Sequence, residues 1–182
     1  MADPQHVPVL DGLDRLTVSL YRAGFLVAAA ALIGTGLTGP TWGVSGRVLL
    51  STGAALCAWN VHLYDKRFRW LFGGFAWAGV VIGFASTTVD GTLAWLLREL
   101  GFGLHLVLFS ALALKEQLCF RVPLMRAVPW VMFATSMAHA FAPVAVASGL
   151  MIAGGGLIAA LGLVKLRQPL AFDIGDRSKY QI

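Results

Sequence analysis

Six apolar stretches, each about 20 residues long, dominate this sequence and limit what it can fold into. A helix that crosses the ~30 Å hydrocarbon core of a bilayer needs about 20 mostly apolar residues. The chain is 58% hydrophobic and only 13% charged, whereas a soluble domain carries about 25% charged residues. We therefore predict an all-α fold, a polytopic transmembrane helical bundle with six spans at 17–38, 47–64, 69–88, 93–114, 124–142 and 144–165.

Glycine, proline and charged residues separate the predicted spans. We expect a polar N-terminal segment over 1–14, the bundle over 15–166 and a cytoplasmic tail over 167–182. The first ten residues, MADPQHVPVL, lack the charged start, apolar middle and small-residue cleavage site of a signal peptide, so no such peptide is expected to be removed. The main breaks are Gly39-Pro40, Asp65-Lys66-Arg67, Asp90-Gly91, Val122-Pro123 and Ala142-Pro143.

The fourteen Lys and Arg residues predict the orientation of the bundle, because cytoplasmic loops retain positive charge. Twelve of them lie around the start of the first span, in the second and fourth connections, or after the sixth span. Only Arg47 and Arg98 fall on the other side, so both termini are expected in the cytoplasm. The cations alternate with apolar runs and do not form one patch, so the net charge of +5 does not predict a nucleic-acid partner.

Small residues at helical spacing predict how the spans pack, since close contact through small side chains replaces the hydrophobic driving force in lipid. We expect the faces carrying these pairs to pack inside the bundle, or else between subunits. The run Gly154-Gly155-Gly156 is either a hinge, as in some transporters, or a crowded helix crossing, which we favour. The pairs are Gly79 with Gly83, Gly149 with Ala153, and Gly155 with Ala159.

Polar residues inside the predicted spans are candidates for function, because each is costly there without a partner. His62, His105 and His139 fall at different depths, so one metal ion held by all three is not expected. A single histidine can hold haem or a chlorin. His105, flanked by Gly101 and Gly103, is the first candidate for such cofactor binding, and His139 is the second. The alternative is that these histidines only form hydrogen bonds between helices, with Ser110 and Ser136 as available partners.

Charged and amide side chains provide further candidates. Asn60 lies late in the second span, and Arg98-Glu99 begins the fourth. This charged pair is either a gate or proton relay, or a self-paired structural element near the outer interface. A path through the membrane would require Asn60, Arg98, Glu99 and His105 to share one lumen.

The octet LKEQLCFR, residues 114–121, is predicted to be the cytoplasmic turn between the fourth and fifth spans. It contains Lys115, Glu116 and Cys119. Cys119 would act as a nucleophile only beside a base, and His62 is predicted at a similar depth. The chain contains no GxSxG, HExxH or GxxxxGK[ST] motif, so nothing in the sequence positively indicates an enzyme.

Two short motifs carry a resemblance to a known family. The turn has the pattern Lys-Glu-x-x-Cys-Phe at 115–120, and the tail has Asp-Ile-Gly-Asp-Arg-Ser at 173–178. In these motifs, and in layout from about 48 to 180, the chain resembles the uncharacterised integral membrane proteins with domain of unknown function 2301, which occur in bacteria, cyanobacteria and plastids. Such proteins commonly have a small residue where this chain has Gln117. The resemblance implies a multi-span membrane protein and no established activity.

The tail also has a physical interpretation of its own. Asp173 and Asp176 follow the last span, and we expect them to dock onto cytoplasmic cations. Two acids are too few for a Ca²⁺ loop, which needs six to eight oxygen ligands. The expected docking partners are Arg67, Arg69, Arg121 and Arg126.

Three classes of function follow from the sequence. The first, which we favour, is a non-catalytic membrane component that binds a membrane protein partner, or a second copy of itself, and helps to assemble a complex. The second is a small transporter or channel. The third is a protein that binds haem or a pigment through one intramembrane histidine. The predicted location is a bacterial inner membrane or a related photosynthetic membrane.

Overall fold

The computed structural model describes residues 9–39, 43–122, 124–176, 178 and 180. Within these residues the fold is all-α, as predicted, and contains no strand. A short 3-10 helix, Met125–Ala127, leads into the fifth long helix. The α-helices are α1 (Gly12–Thr38), α2 (Val44–Asn60), α3 (Lys66–Ala85), α4 (Gly91–Phe120), α5 (Val128–Phe141), α6 (Val144–Arg167) and the short α7 (Ala171–Ile174).

The six long helices form a closed ring in which each helix packs against the next along the chain, and α6 packs against α1. The aromatic rings of Phe25 on α1 and Phe109 on α4 meet inside the ring, with their centroids 6.4 Å apart. We call the end of the ring that holds α7, the start of α1 and the ends of α4 and α6 the tail end, and we call the opposite end the far end.

The bundle exposes large aromatic side chains on its outside and buries several charged side chains inside. Lys165 and Glu116 are fully buried, whereas the Trp59 side chain is 78% exposed. Trp70 and Trp130 also point outward. Four helices, α1, α3, α4 and α6, are long and apolar enough to cross a membrane. These features are consistent with a membrane protein.

The boundaries of several helices differ from the predicted spans. Helix α1 starts at Gly12, inside the segment expected to be polar, because Asp11 and Asp14 form a reciprocal capping box. Helices α2 and α5, with 17 and 14 residues, are about 25 and 21 Å long at a rise of 1.5 Å per residue. Pro129 stands in the first turn of α5 and favours a helix start there. The predictions at 1–8, Pro40 and Pro123 lie outside the described residues.

A glycine allows α6 to cross close to α1. A Cβ atom on Gly155 of α6 would lie 2.7 Å from the Ile33 side chain and 3.1 Å from the Ala29 carbonyl oxygen. The triple glycine therefore includes a crowded crossing at Gly155 inside a continuous helix, as expected, although Gly156 faces outward. Gly149 and Ala153, in contrast, face outward, so the expectation that this pair packs inside the bundle is wrong. Helix α6 is apolar around its whole circumference, so the sequence did not define which face is inside.

Candidate functional site

A buried network of charges lies at the tail end of the bundle. We call it the tail-end cluster, and Glu116 of α4 is one of its two acidic centres. Its Oε1 atom accepts hydrogen bonds from the Tyr21 hydroxyl at 2.7 Å and from Lys115 Nζ at 2.7 Å. Its Oε2 atom lies 2.9 Å from Lys165 Nζ. The members of the cluster are Tyr21, Arg22, Lys115, Glu116, Lys165 and Asp173.

Asp173 is the second acidic centre, and α7 carries it back under the bundle. Arg22 of α1 donates to Asp173 Oδ2 from Nε at 2.8 Å and from Nη2 at 2.7 Å. Lys165 of α6 forms an ion pair with Asp173 Oδ1. Arg22 also donates to the carbonyl oxygens of Gln168 at 2.7 Å and Pro169 at 3.0 Å. One guanidinium therefore binds both the carboxylate and the main chain of the tail.

The cluster holds three cations and two carboxylates, and these side chains are between 0 and 10% exposed. The Lys165 ammonium also lies 3.9 Å from the centre of the Phe120 ring, a cation–π contact. Buried charges are tolerated only when they are paired and hydrogen-bonded. Each charged group of the cluster has an oppositely charged partner and a hydrogen bond. The observed arrangement therefore locks α1, α4, α6 and the tail together.

Two expectations about this region need correction. The octet LKEQLCFR is not a turn, because α4 continues through Phe120 and the chain leaves the helix at Arg121, which is left-handed with φ 52°. Glu116 is buried within the last turns of α4, where Lys115 of the same helix and Lys165 of α6 compensate its charge and Tyr21 of α1 donates a hydrogen bond to it. The tail docks on the bundle as expected, but Asp173 binds Arg22 and Lys165, neither of which was an expected partner.

The rest of the tail is held by tyrosines. The Asp176 main-chain N–H donates to the Tyr64 hydroxyl at 3.0 Å, and the rings of Tyr64 and Tyr180 pack at an angle of 59° with centroids 5.2 Å apart. The Asp176 carboxylate accepts from the Ser178 hydroxyl at 2.7 Å. Asp176 thus orders the tail locally, which the sequence motif alone did not indicate.

Cys119 and His62 line one small cavity of about 50 Å³ beside the tail-end cluster, together with Lys115 and Asp173. Sequence analysis anticipated that Cys119 and His62 lie at a similar depth. Burial lowers the pKa of the His62 imidazole below its usual value, and the nearby Lys115 ammonium lowers it further. The buried Nδ1 atom of His62 has no hydrogen-bond partner among the described residues.

A second polar contact lies near the far end, where Glu99 of α4 meets His139 of α5. Glu99 Oε2 is 2.5 Å from His139 Nδ1, and the His139 ring packs against Phe102 with centroids 5.0 Å apart. Arg98 Nε is 3.5 Å from the other oxygen of Glu99. Sequence analysis paired Arg98 with Glu99 and treated His139 as a cofactor candidate. In the structure, Glu99 lies closer to His139 than to Arg98, and its contact with His139 links α4 to α5.

His105 lies between α4 and α3 and is 4% exposed. Its imidazole forms a hydrogen bond with the main chain of Ala76, and its Nε2 atom has no hydrogen-bond partner among the described residues. The ring fits against Gly79, where an added Cβ would lie 2.6 Å from Nε2. An added Cβ on Gly101 would lie 2.9 Å from the Gly79 carbonyl oxygen. The space that Gly101 was expected to leave for a macrocycle is therefore filled by α3.

The polar residues proposed for a transport path do not share one lumen in the described part of the chain. Arg98 and His105 line a groove of about 380 Å³ between α2, α3 and α4. Glu99 faces His139 instead. The Asn60 side-chain amide donates to the Leu56 carbonyl oxygen, one turn earlier on α2, at 2.9 Å.

Three residues of the cluster were not predicted as site residues: Tyr21, Arg22 and Lys165. Arg22 and Lys165 were placed at the ends of spans and used only to predict the orientation. One available signal was position: Arg22 lies five residues inside the predicted span 17–38, more than one helical turn from its start. A cation at that depth needs a buried partner.

Comparisons with known proteins give one informative similarity. The chain is 34% identical to an uncharacterised protein of Haemophilus influenzae, over 188 aligned positions that cover the whole of both chains. No protein-family model matches the chain, and no solved structure matches it.

Proposed function

This chain belongs to the family of the uncharacterised Haemophilus influenzae protein, and we propose that it is a six-span, non-catalytic component of a membrane complex. In this proposal all six long helices cross the membrane, and both termini lie in the cytoplasm. The membrane is a bacterial inner membrane or a related photosynthetic membrane. The two sequence motifs that resemble domain of unknown function 2301 belong to the same proposal.

The outward face of α6 is the observation that carries the assembly role. Gly149, Ala153, Gly156 and Ala160 are all exposed and recur at intervals of four, three and four residues on one face. No atom lies within 4 Å of a Cβ placed on Gly149 or Gly156. Small residues at this spacing let a second transmembrane helix approach closely. We call this face the α6 stripe, and we assign it to a helix of a partner protein or of a second copy.

The distribution of charge supports the six-span topology. Of the twelve Lys and Arg residues that the structure describes, ten lie toward the tail end, and Arg47 and Arg98 lie toward the far end. This asymmetry supports a cytoplasmic tail end. Helices α2 and α5 are short, and the bilayer can thin locally around short helices at modest cost.

Crosslinking in native membranes tests the assembly role. We expect Ala160→Cys in the full-length chain to give a covalent adduct of defined mass when a bifunctional thiol reagent is added. Adding Gly156→Leu should abolish this adduct, because the leucine fills the α6 stripe and holds the partner helix away. Gly74→Leu is the matched control, since Gly74 also faces outward but lies on α3. An adduct that survives Gly156→Leu contradicts this role.

Cysteine labelling tests the topology separately. In a Cys119→Ser background, Lys66→Cys and Asp90→Cys should react with a membrane-impermeant thiol reagent from opposite sides of the membrane. The two positions stand at opposite ends of α3, which we propose crosses the membrane once. Labelling of both positions from the same side would overturn the topology without bearing on the α6 stripe.

A further inference from the structure

The groove between α2, α3 and α4 has a charged mouth and an apolar interior. It has a volume of about 380 Å³, which is within the range of about 300–1,000 Å³ that is typical of ligand sites. Arg47 in the first turn of α2 and Arg98 in the second turn of α4 both line it. Between them and the deep end the walls are mostly aliphatic and aromatic, including Val48, Val80 and Phe84.

The two arginines at the mouth are available to a ligand. No salt bridge joins Arg47 to a carboxylate among the described residues. Arg98 has only the 3.5 Å contact with Glu99, whose other oxygen binds His139 at 2.5 Å. These are also the two described cations at the far end, where positive charge is otherwise avoided. The fold brings both of them to one groove.

His105 lines the deep end of the groove. It is seven residues after Arg98 on α4, about 10 Å deeper along the helix axis. Midway along the groove, no atom lies within 4 Å of a Cβ placed on Gly83. The groove is therefore open where a chain-like ligand would pass.

We propose that this groove binds an anionic phospholipid, with its phosphate on Arg47 and Arg98 and an acyl chain along Val80, Gly83 and Phe84 toward His105. Guanidinium groups match phosphate oxygens in a bidentate arrangement. The apolar walls match hydrocarbon, and the surrounding bilayer supplies the lipid. This site lies on α2, α3 and α4 and is independent of the α6 stripe.

Native mass spectrometry of the delipidated full-length protein in detergent tests the site. We expect phosphatidylglycerol to bind at least tenfold more tightly than phosphatidylcholine of the same acyl composition, because only the former carries a net negative charge. Arg47→Gln/Arg98→Gln should reduce phosphatidylglycerol binding about tenfold, which corresponds to the loss of about one charge-assisted hydrogen bond. Arg67→Gln/Arg126→Gln, which removes two cations from the tail end, should leave binding unchanged.

A second pair of variants tests the hydrocarbon part of the groove. Gly83→Leu should reduce binding of phosphatidylglycerol, since the leucine occupies the open space, whereas Gly74→Leu on the outer face of the same helix should not. Equal binding of the two phospholipids, or full binding to the Arg47/Arg98 variant, overturns the site. Tighter binding of palmitate than of phosphatidylglycerol overturns the assignment to a phospholipid and indicates a carboxylate ligand.

Discussion

Glu116→Gln is expected to lower the free energy of unfolding by about 3–5 kcal/mol, because removing one partner of a buried ion pair leaves an uncompensated charge. Here Lys115, at 2.7 Å, loses its carboxylate partner, and Lys165, at 2.9 Å, loses one of its two and keeps Asp173. Glutamine keeps the size and shape of the side chain, so the lost stability comes from the missing charge and not from a cavity. Thermal or denaturant unfolding of the full-length protein in micelles measures it.

Two further variants check that the effect comes from the cluster. Asp90→Asn removes an exposed carboxylate whose side chain makes no capping hydrogen bond, so it should change stability by less than about 0.5 kcal/mol. The double variant Glu116→Gln/Lys165→Met should be more stable than Glu116→Gln alone, because one buried cation is removed together with the anion. If Glu116→Gln unfolds like the wild-type protein, the charges of the tail-end cluster do not stabilise the bundle.

Gly53→Ala should be the most disruptive single-methyl substitution at the crossing of α1 and α2. An added Cβ would lie 2.8 Å from the Ala28 main-chain nitrogen and 2.8 Å from the Gly24 carbonyl oxygen. These are main-chain atoms, which cannot move aside without shifting α1. We expect a loss of about 1–3 kcal/mol in the free energy of unfolding, the usual cost of overpacking.

Gly74→Ala is the matched control for this substitution. It should raise the free energy of unfolding, whereas Gly53→Ala should lower it. Gly74 also lies inside a helix, but no atom lies within 4 Å of the added methyl group. Replacing a helical glycine by alanine then stabilises by roughly 0.5–1 kcal/mol. Measuring the unfolding of both variants under the same conditions separates two effects: the higher helix propensity of alanine, and the steric contact of the added methyl group at Gly53. Equal stabilities would show that α1 and α2 are not in close contact at Gly53.

Much of the architecture follows from the sequence, because a run of about 20 apolar residues has few alternatives to a helix. The order of the helices and the crowded crossing at Gly155 were both predicted. The crossing at Gly24 and Gly53 was missed, although Gly24 with Ala28 and Gly53 with Cys57 have the same four-residue spacing. Spacing alone does not tell which of several small-residue faces turns inward.

The candidate site was less predictable, because it depends on contacts between residues far apart in the sequence. Arg22 and Asp173 are 151 positions apart, and their pairing requires the chain to turn back after α6. The contact between Glu99 and His139 likewise depends on α4 and α5 being neighbours in the correct register. The sequence located these charges at the right ends of the bundle but not their partners.

The position of Asp173 has a consequence for biogenesis. Arg22 is synthesised 151 residues before its carboxylate partner Asp173. Until Asp173 has been added, Arg22 lacks the charge that neutralises it in the finished bundle, whereas Lys165 also has Glu116 as a partner. Chains that stop before Asp173 keep every long helix but not this closure, so quality-control proteases should remove them while chains that include Asp173 persist.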